Sequence, residues 1–133
     1  MKNVEVSAAI IIKDNKIFIT QRGYGEYKGK WEFPGGKLEK GETGEECLIR
    51  EIKEELEADI EIIKFLKTIE WDYPSFHLIM HCYICKLKSE HLTLLEHEAA
   101  IFINIDEIDQ VDFLPADLLI LEDIKRYINK FIR

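Results

Sequence analysis

Three glutamates of the chain have the spacing that groups carboxylates on one side of a helix. Successive residues of an α-helix are about 100° apart around its axis, so Glu51, Glu54 and Glu55 share an arc about 100° wide. Leu48 and Ile52 occupy the adjoining arc, where they can face a core. The acidic arc has two interpretations. It is either a solvated face or a site for a hard cation such as Mg²⁺ or Mn²⁺, which binds carboxylate and carbonyl oxygens.

The segment before this helix favours the cation site. Residues 33–42 (FPGGKLEKGE) form a glycine-bracketed loop that leads into Thr43 and Glu46, which have the spacing of a capping box. The capping box predicts a helix over residues 44–56. Glycine allows a backbone carbonyl or amide to come close to a metal ion or a phosphate, so loop and helix together can form one binding site.

From Gly36 onwards the sequence closely resembles the Nudix box. The pattern consists of Gly36, five residues, Glu42, seven residues and then REIKEE at positions 50–55. It departs at the end, because Glu57 and Ala58 stand where the family has a glycine and a bulky aliphatic residue. The family glycine ends the helix, whereas a glutamate at position 57 can continue it by a residue or so, with Asp59 helping to end it.

The resemblance implies an enzyme that uses Mg²⁺ or Mn²⁺ to hydrolyse a nucleoside diphosphate linked to a further group. Arg50 is expected to orient the carboxylates through charge-assisted hydrogen bonds. Glu42 is expected to tie the loop to the helix, and the alternative is an ordinary acid near a helix N-terminus. The implied metal ligands are Glu51, Glu54, Glu55 and the carbonyl oxygen of Gly36.

The resemblance extends to the MutT branch of the family and covers nearly the whole chain, through WEFPGG at 31–36 and LPAD at 114–117. It implies one more metal-binding acid just before a late strand. Glu98 matches that position, and Glu96 is the alternative because a shift of two residues is easy in a loop. Arg22 is expected to contact substrate phosphate, unless it is an ordinary arginine at a strand end.

Two further residues are implied to contact the nucleobase. Phe33 either stacks on the base or belongs to the core. Asp117 stands where MutT has a base-reading asparagine, and an ionised aspartate only accepts hydrogen bonds. This favours a base with amino donors, such as cytosine. Ser75 and Phe76 replace an Asp-Arg pair of MutT, which also argues against assuming 8-oxo-dGTP as the substrate.

We therefore predict a MutT-like pyrophosphohydrolase that converts a nucleoside triphosphate into a nucleoside monophosphate and pyrophosphate. The substrate is either a pyrimidine nucleotide such as CTP or dCTP or an oxidised purine nucleotide such as 8-oxo-dGTP. In the implied mechanism the metal neutralises the phosphates and activates water, and Glu51 or Glu98 accepts the proton. Arg50 and Glu54 complete the expected catalytic set. The alternatives are a Nudix hydrolase of nucleotide sugars or dinucleotides and a catalytically silent nucleotide-binding domain.

The rest of the sequence predicts the elements that position these residues. Strand patterns cover residues 5–13, 16–22, 60–72 and 76–88, a later strand starts at residue 98, and Pro115 opens a final helix. This order predicts one mixed α/β domain. The resemblance implies a single Nudix domain over residues 1–133, of α/β (α+β) class, with a mixed β-sheet between helices. Cys82 and Cys85 lie three apart on a strand and should face opposite sides, which argues against a zinc or redox site.

The composition limits the partners. The chain has 133 residues and a formal net charge of −8, which argues against a broad nucleic-acid-binding or anionic-membrane-binding surface. A small nucleotide remains possible, because a bound cation reverses the local charge. Three cysteines, an odd number, and an N-terminus without a signal-peptide pattern predict a reduced, cytoplasmic protein. The sequence leaves monomer and homodimer open.

Overall fold

The computed structural model describes residues 1–89, 92 and 97–133, and the side chains of residues 97 and 98 lie outside this description. Its central feature is a mixed β-sheet. Strand β1 (Lys2–Lys13) pairs in parallel with β6 (Phe76–Leu87), and β6 pairs in antiparallel with β5 (Ile60–Tyr73). On its other side β1 pairs in antiparallel with β4 (Gly35–Lys37), which therefore holds the glycine-rich loop against the sheet.

A smaller antiparallel group of strands continues from the end of β1. A turn at residues 14–15 returns the chain as β2 (Lys16–Arg22). Strand β2 pairs with β3 (Trp31–Glu32) and with β7 (His97–Asn104). The ends of β2 and β3 lie beside the glycine-rich loop, so this group can contribute side chains to the same site.

Helices cover both faces of the mixed sheet. Helix α1 (Gly44–Leu56) buries Leu48, Ile52 and Leu56 in a cluster with β1 residues Ala9 and Ile11. On the opposite face lie a 3-10 helix (Ile105–Gln110), a short helix α2 (Pro115–Leu118) and helix α3 (Leu121–Phe131). The α3 residues Leu121, Ile124 and Ile128 are buried there against Ile10 and Ile84. This arrangement confirms the predicted mixed sheet between helices.

Helix α1 begins and ends at the predicted residues, 44 and 56. The side chain of Thr43 accepts a hydrogen bond from the N–H of Glu46, and the Glu46 carboxylate accepts one from the N–H of Thr43. Glu57 does not continue the helix. Glu57 has φ 51° and ψ 35°, and its N–H donates to the carbonyl of Lys53, so it ends the helix in the left-handed conformation that glycine adopts more easily.

Three other boundaries differ from the sequence expectations. Strand β1 begins three residues earlier, and the three-residue strand β4 was not predicted. The single C-terminal helix is two helices, because the chain bends after Leu118 and turns into α3. Leu118 and Phe131 continue the spacing of three and four residues that Leu121, Ile124 and Ile128 follow, but they are about half exposed. The buried stripe is therefore shorter than this spacing predicts.

Cys82 and Cys85 are buried on opposite faces of the sheet, in the two separate core clusters, which confirms that they cannot bind one metal ion together. No helix in the described part of the chain is long and apolar enough to cross a membrane.

Candidate active site

Arg50 is the centre of a hydrogen-bonded network on helix α1. Its Nε and Nη2 donate to the two carboxylate oxygens of Glu42 at 2.7 and 2.8 Å. Its Nη1 donates to Oε1 of Glu51 at 2.7 Å and to Oε2 of Glu54 at 3.3 Å. These charge-assisted bonds hold two carboxylates of the acidic arc beside each other in spite of their repulsion.

Glu42 connects the glycine-rich loop to the helix. Besides its two bonds to Arg50, its Oε1 accepts a hydrogen bond from the N–H of Glu39 at 2.7 Å. Arg50 also donates to the backbone carbonyl of Lys37 at 3.0 Å. The hydrogen bonds from Arg50, followed by the one from the N–H of Glu39, lower the pKa of Glu42 to about 2. These contacts favour the role that ties the loop to the helix over that of an ordinary N-terminal acid.

Gly36 lies directly against the carboxylate of Glu51. A Cβ atom at position 36 would be 2.2 Å from Cδ and 2.3 Å from Oε2 of Glu51, far inside van der Waals contact. The thiol of Cys47 donates to the Gly36 carbonyl at 3.4 Å. A side chain at position 36 would therefore displace Glu51, which explains the need for glycine in physical terms.

The donor set fits a hard divalent cation. Four carboxylates, those of Glu39, Glu42, Glu51 and Glu54, share the single guanidinium of Arg50, which leaves an excess of negative charge. Carboxylate and carbonyl oxygens are the ligands that Mg²⁺ and Mn²⁺ prefer. Within the described ranges, no three acidic, histidine or cysteine side chains are already gathered in a metal-binding arrangement. The residues therefore fit a divalent cation by the chemistry of their oxygen atoms, by their negative charge and by their proximity to one another.

A cavity of about 290 Å³ opens beside this network. Gly36, Lys37 and Glu55 form part of its lining, so the cavity reaches the acidic helix. Aromatic side chains form much of the remaining lining: Tyr24, Tyr27, Phe33, Tyr73 and Phe76. Tyr73 stacks on Phe76 with ring centroids 5.0 Å apart, and Tyr27 meets Tyr73 edge-on at 5.5 Å. Apolar and aromatic walls with a few polar groups are typical of small-molecule sites.

Arg22 lines the same cavity, but it is not a free strand-end arginine. Its Nε and Nη2 donate to the two carboxylate oxygens of Glu32, each at 2.9 Å. The bond to Glu32 raises the pKa of Arg22, so the guanidinium stays charged. Sequence reasoning missed Glu32, although its place opposite the end of β2 in the β2–β3 pairing explains the contact.

Asp117 also lines the cavity, in a state that differs from the one expected. Its side chain is buried, with 4% of the residue exposed, and Oδ2 accepts a hydrogen bond from the N–H of Phe33 at 2.9 Å. Burial raises the pKa of the carboxyl to about 8. Burial therefore favours the protonated carboxyl, whereas the expectation of a group that only accepts hydrogen bonds applies to the ionised form.

Phe33 has the second of its two expected roles. Its ring is buried and stacks on Phe113 with centroids 5.1 Å apart, as part of the core cluster. One edge of the residue reaches the cavity, and its backbone N–H positions Asp117. The aromatic side chains of Tyr24 and Phe76 are more exposed than that of Phe33. Sequence reasoning did not assign Tyr24 and Tyr27 to the site; their position in the loop at residues 23–30, between two strands, is the feature that could have indicated it.

The additional acid is placed only by its backbone. Residue 97 pairs with Arg22 in the β2–β7 ladder, so Glu98 belongs to the end of β7 that is nearest the cavity residue Arg22. The side chain of Glu98 and the whole of Glu96 lie outside the described residues. The choice between the two acids stays a prediction.

Comparison with known proteins identifies the family. The NUDIX domain model matches residues 1–130. A CTP pyrophosphohydrolase of Escherichia coli is 34% identical over 125 residues, 92% of this chain and 91% of that protein. An 8-oxo-dGTP diphosphatase of Proteus vulgaris is 37% identical over 94 residues, 69% of this chain and 84% of that protein. The crystal structure of a MutT NUDIX hydrolase from Burkholderia pseudomallei superposes with a TM-score of 0.84 at 26% identity, covering 93% of this chain and 99% of that one. The chain therefore belongs to the Nudix family and is a pyrophosphohydrolase of the MutT-like group.

Proposed function

We propose that this protein, acting as one domain over residues 1–133, hydrolyses a nucleoside triphosphate to a nucleoside monophosphate and pyrophosphate with Mg²⁺ or Mn²⁺. The observation that carries the proposal is the cavity, whose lining joins Glu55 and Gly36 of the acidic site to the aromatic wall and Asp117. One ligand can thus place phosphates at the acidic end and a base among the aromatic rings. The similarity to a CTP pyrophosphohydrolase and an 8-oxo-dGTP diphosphatase supports a pyrimidine or an oxidised purine nucleotide.

The residues at the acidic end of the cavity would bind the divalent ion. Glu51, Glu54, Glu55, Glu98 and the Gly36 carbonyl would supply oxygen ligands to the divalent ion. When bound, that ion supplies charge neutralisation of the phosphates and a more acidic water molecule. Arg50 holds Glu51 and Glu54 beside each other through charge-assisted hydrogen bonds, which offsets their repulsion before the ion binds.

The other groups bind and orient the substrate. Arg22 would donate to a phosphate oxygen through the N–H groups that Glu32 leaves available, since a guanidinium has five. Asp117 would contact the base. Glu51 or Glu98 would accept the proton of the attacking water. Glu51 can do so through Oε2, because Oε1 already accepts from Arg50.

The setting of the reaction is part of the proposal. The partner is a free nucleotide rather than a nucleic acid or a membrane, which agrees with the net charge of −8. The three cysteines carry free thiols, which supports a reducing, cytoplasmic compartment. Whether the protein acts as a monomer or a homodimer is decided by sedimentation or light scattering.

The test is a substrate panel with matched variants. Phosphate release in the presence of Mg²⁺ and inorganic pyrophosphatase is measured for CTP, dCTP, 8-oxo-dGTP, the ordinary nucleoside triphosphates, a nucleotide sugar and a dinucleotide, with the products identified by ³¹P NMR. Glu54→Gln should lower kcat/KM by about 10²-fold or more. Glu45→Gln, the same change at an exposed position of α1, should leave kcat/KM unchanged.

Metal binding gives a second readout that does not depend on turnover. Binding of Mn²⁺ is followed by electron paramagnetic resonance without nucleotide, and Glu54→Gln should weaken it while Glu45→Gln should not. Hydrolysis of only the sugar or dinucleotide would replace the proposed substrate class. Nucleotide binding without hydrolysis of any compound would indicate a silent domain.

A further inference from the structure

The end of the β5–β6 hairpin forms part of the cavity wall. Tyr73, the last residue of β5, pairs with Phe76, the first residue of β6, and their rings stack with centroids 5.0 Å apart. Both residues line the cavity. The hydroxyl of Tyr73 is tied to α2, because it accepts a hydrogen bond from the N–H of Ala116 at 3.2 Å. Phe76 directly follows the turn at residues 74–75 and is half-buried, so its position depends on how firmly the start of β6 is held against β5.

The start of β6 is held by a clamp that consists of His77, Asp72 and Glu70. Asp72 and His77 form the pair of the ladder next to Tyr73 and Phe76. Nδ1 of His77 lies 2.5 Å from Oδ1 of Asp72, and Nε2 lies 2.9 Å from Oε1 of Glu70. Carboxylate oxygens accept hydrogen bonds, so both ring nitrogens donate only when the imidazole is protonated. The positively charged ring therefore joins β6 to two residues of β5, directly beside the aromatic pair.

The charges around His77 favour this protonated state. The hydrogen bonds to the carboxylates of β5 raise the pKa of His77. From β1, the uncharged Asn3 pairs with His77, and the charged residues on either side of it along the strand, Lys2 and Glu5, have opposite signs. On β6 itself, Nε2 of His81 lies 2.6 Å from the carboxylate of Glu5, so that carboxylate already has a partner. The two carboxylates of β5 are therefore the charges in direct contact with the ring.

We propose that His77 is a positioning residue of the nucleotide site: as an imidazolium between Glu70 and Asp72, it fastens the end of the β5–β6 hairpin and so keeps Phe76 in place as a wall for the nucleobase. The inference rests on the proposed hydrolysis of nucleotides and concerns the base end of the same cavity. When His77 loses its proton, one ring nitrogen stops donating and turns a lone pair towards a carboxylate. The start of β6 is then held less firmly, and the wall is complete for a smaller fraction of the time, which weakens binding of the base.

The first experiment needs no nucleotide. The imidazole signals of the four histidines are followed by NMR between about pH 5 and pH 9, and the His77 signal is assigned by its loss in His77→Asn. We expect its midpoint to lie above about 6.5, the ordinary value, and to move to lower pH in Glu70→Gln. The nuclear Overhauser effect between the rings of Tyr73 and Phe76 should weaken with the same midpoint, and it should be weak at every pH in His77→Asn. An effect that stays constant across the titration of His77 overturns the inference.

The second experiment measures binding of the base. With the best nucleotide of the panel, KM and kcat are determined at pH 6 and pH 9, and each variant is compared with the wild type at the same pH. The KM of His77→Asn should be about two- to fivefold higher than that of the wild type at pH 6, the range of an exposed ion pair. At pH 9, where the wild type has lost the clamp as well, the two KM values should be close, and kcat should be unaffected at both pH values.

His81→Asn is the matched control, because it makes the same change on the same strand and the same face, four residues further from the turn. It should leave KM unchanged at both pH values. An increase in the KM of His77→Asn that is equal at pH 6 and pH 9, or that His81→Asn reproduces, overturns the inference and leaves nucleotide hydrolysis intact.

The two experiments also separate the inference from the proposed function. If no nucleotide is hydrolysed, the proposed function fails, and the NMR experiment still decides whether the charge of His77 holds the two rings together. Glu70→Gln, which keeps His77, provides the same test if circular dichroism shows that His77→Asn does not fold. In Glu70→Gln the contact between the rings should weaken at lower pH than in the wild type, and an unchanged pH dependence overturns the inference.

Discussion

Replacement of Gly36 by alanine gives the sharpest test of the contact between the glycine-rich loop and the acidic helix. The added Cβ would lie 2.2 Å from Cδ of Glu51. Ordinary carbon–carbon contacts begin near 3.4 Å, so about 1.2 Å of overlap must be relieved by moving Glu51 or the loop. Because the clashing atoms belong to a flexible side chain, the cost is that of moving Glu51 away from its charge-assisted hydrogen bond to Arg50, about 1.5–3 kcal/mol of the free energy of unfolding. The backbone of Gly36 has an ordinary conformation, so no strain in φ adds to this cost.

The cause can be isolated with a double-mutant cycle. In the Glu51→Ala background the clashing atoms are gone, and Gly36→Ala should then cost less than about 0.5 kcal/mol, or stabilise slightly by restricting the unfolded chain. Urea unfolding of the four proteins is followed by tryptophan fluorescence, which the chain provides through two tryptophans. Equal costs of Gly36→Ala in both backgrounds would refute the contact as the reason for glycine at this position.

The rate of nucleotide hydrolysis by Gly36→Ala tests the same contact a second time. A displacement of a catalytic carboxylate by about 1 Å can lower the rate by roughly 10²-fold, so folded Gly36→Ala should lose most of its hydrolysis. The loss should appear in kcat, because the base-binding side of the cavity is untouched. A variant with intact stability and full activity would show that Glu51 is not needed at its present position.

Two further predictions concern stability alone. Glu57→Gly should raise the free energy of unfolding by about 1 kcal/mol, because Glu57 adopts φ 51° and glycine adopts this conformation without a Cβ penalty; Glu57→Ala, which keeps the Cβ, should give no such gain in urea unfolding. Hydrogen bonds to Glu70 and Asp72 raise the pKa of His77. A raised folded-state pKa contributes stability below the unfolded-state pKa, near 6.5, and this contribution is lost as the pH rises through the folded-state value. The stability difference between the wild type and His77→Asn should therefore be larger at pH 6 than at pH 9, and a difference independent of pH would contradict the assignment.

The acidic end of the site could be predicted from the sequence because its information is local. Thr43 and Glu46 lie three residues apart, and Glu51, Glu54 and Glu55 follow from helical periodicity alone. Even the bond between Arg50 and Glu42 joins residues only eight apart. Local patterns of this type depend little on the rest of the fold.

Features that depend on long-range packing could not be predicted in the same way. Strand β4 forms because Gly35 and Gly36 pair with residues nearly thirty positions earlier in β1, although glycine has a low strand propensity. The φ of Glu57 reflects the closing geometry of the helix rather than a preference of glutamate. Burial raises the pKa of Asp117 against the opposing hydrogen bond from the N–H of Phe33, 84 residues away, and the residue type reveals neither the burial nor the bond.

The acidic end of the cavity depends on local sequence, and the base end depends on long-range packing. The acidic end is built within one loop and one helix, whereas the base end brings together Phe33, β5 and α2 through contacts distant in sequence. A change at the base end can therefore alter which nucleotide is bound without disturbing the Arg50 network. A change in that network should reduce hydrolysis of every nucleotide alike. Gly36→Ala should thus lower kcat for the whole panel, while Asp117→Asn should change the relative KM values of the nucleotides, because Asp117 lies at the base end of the cavity.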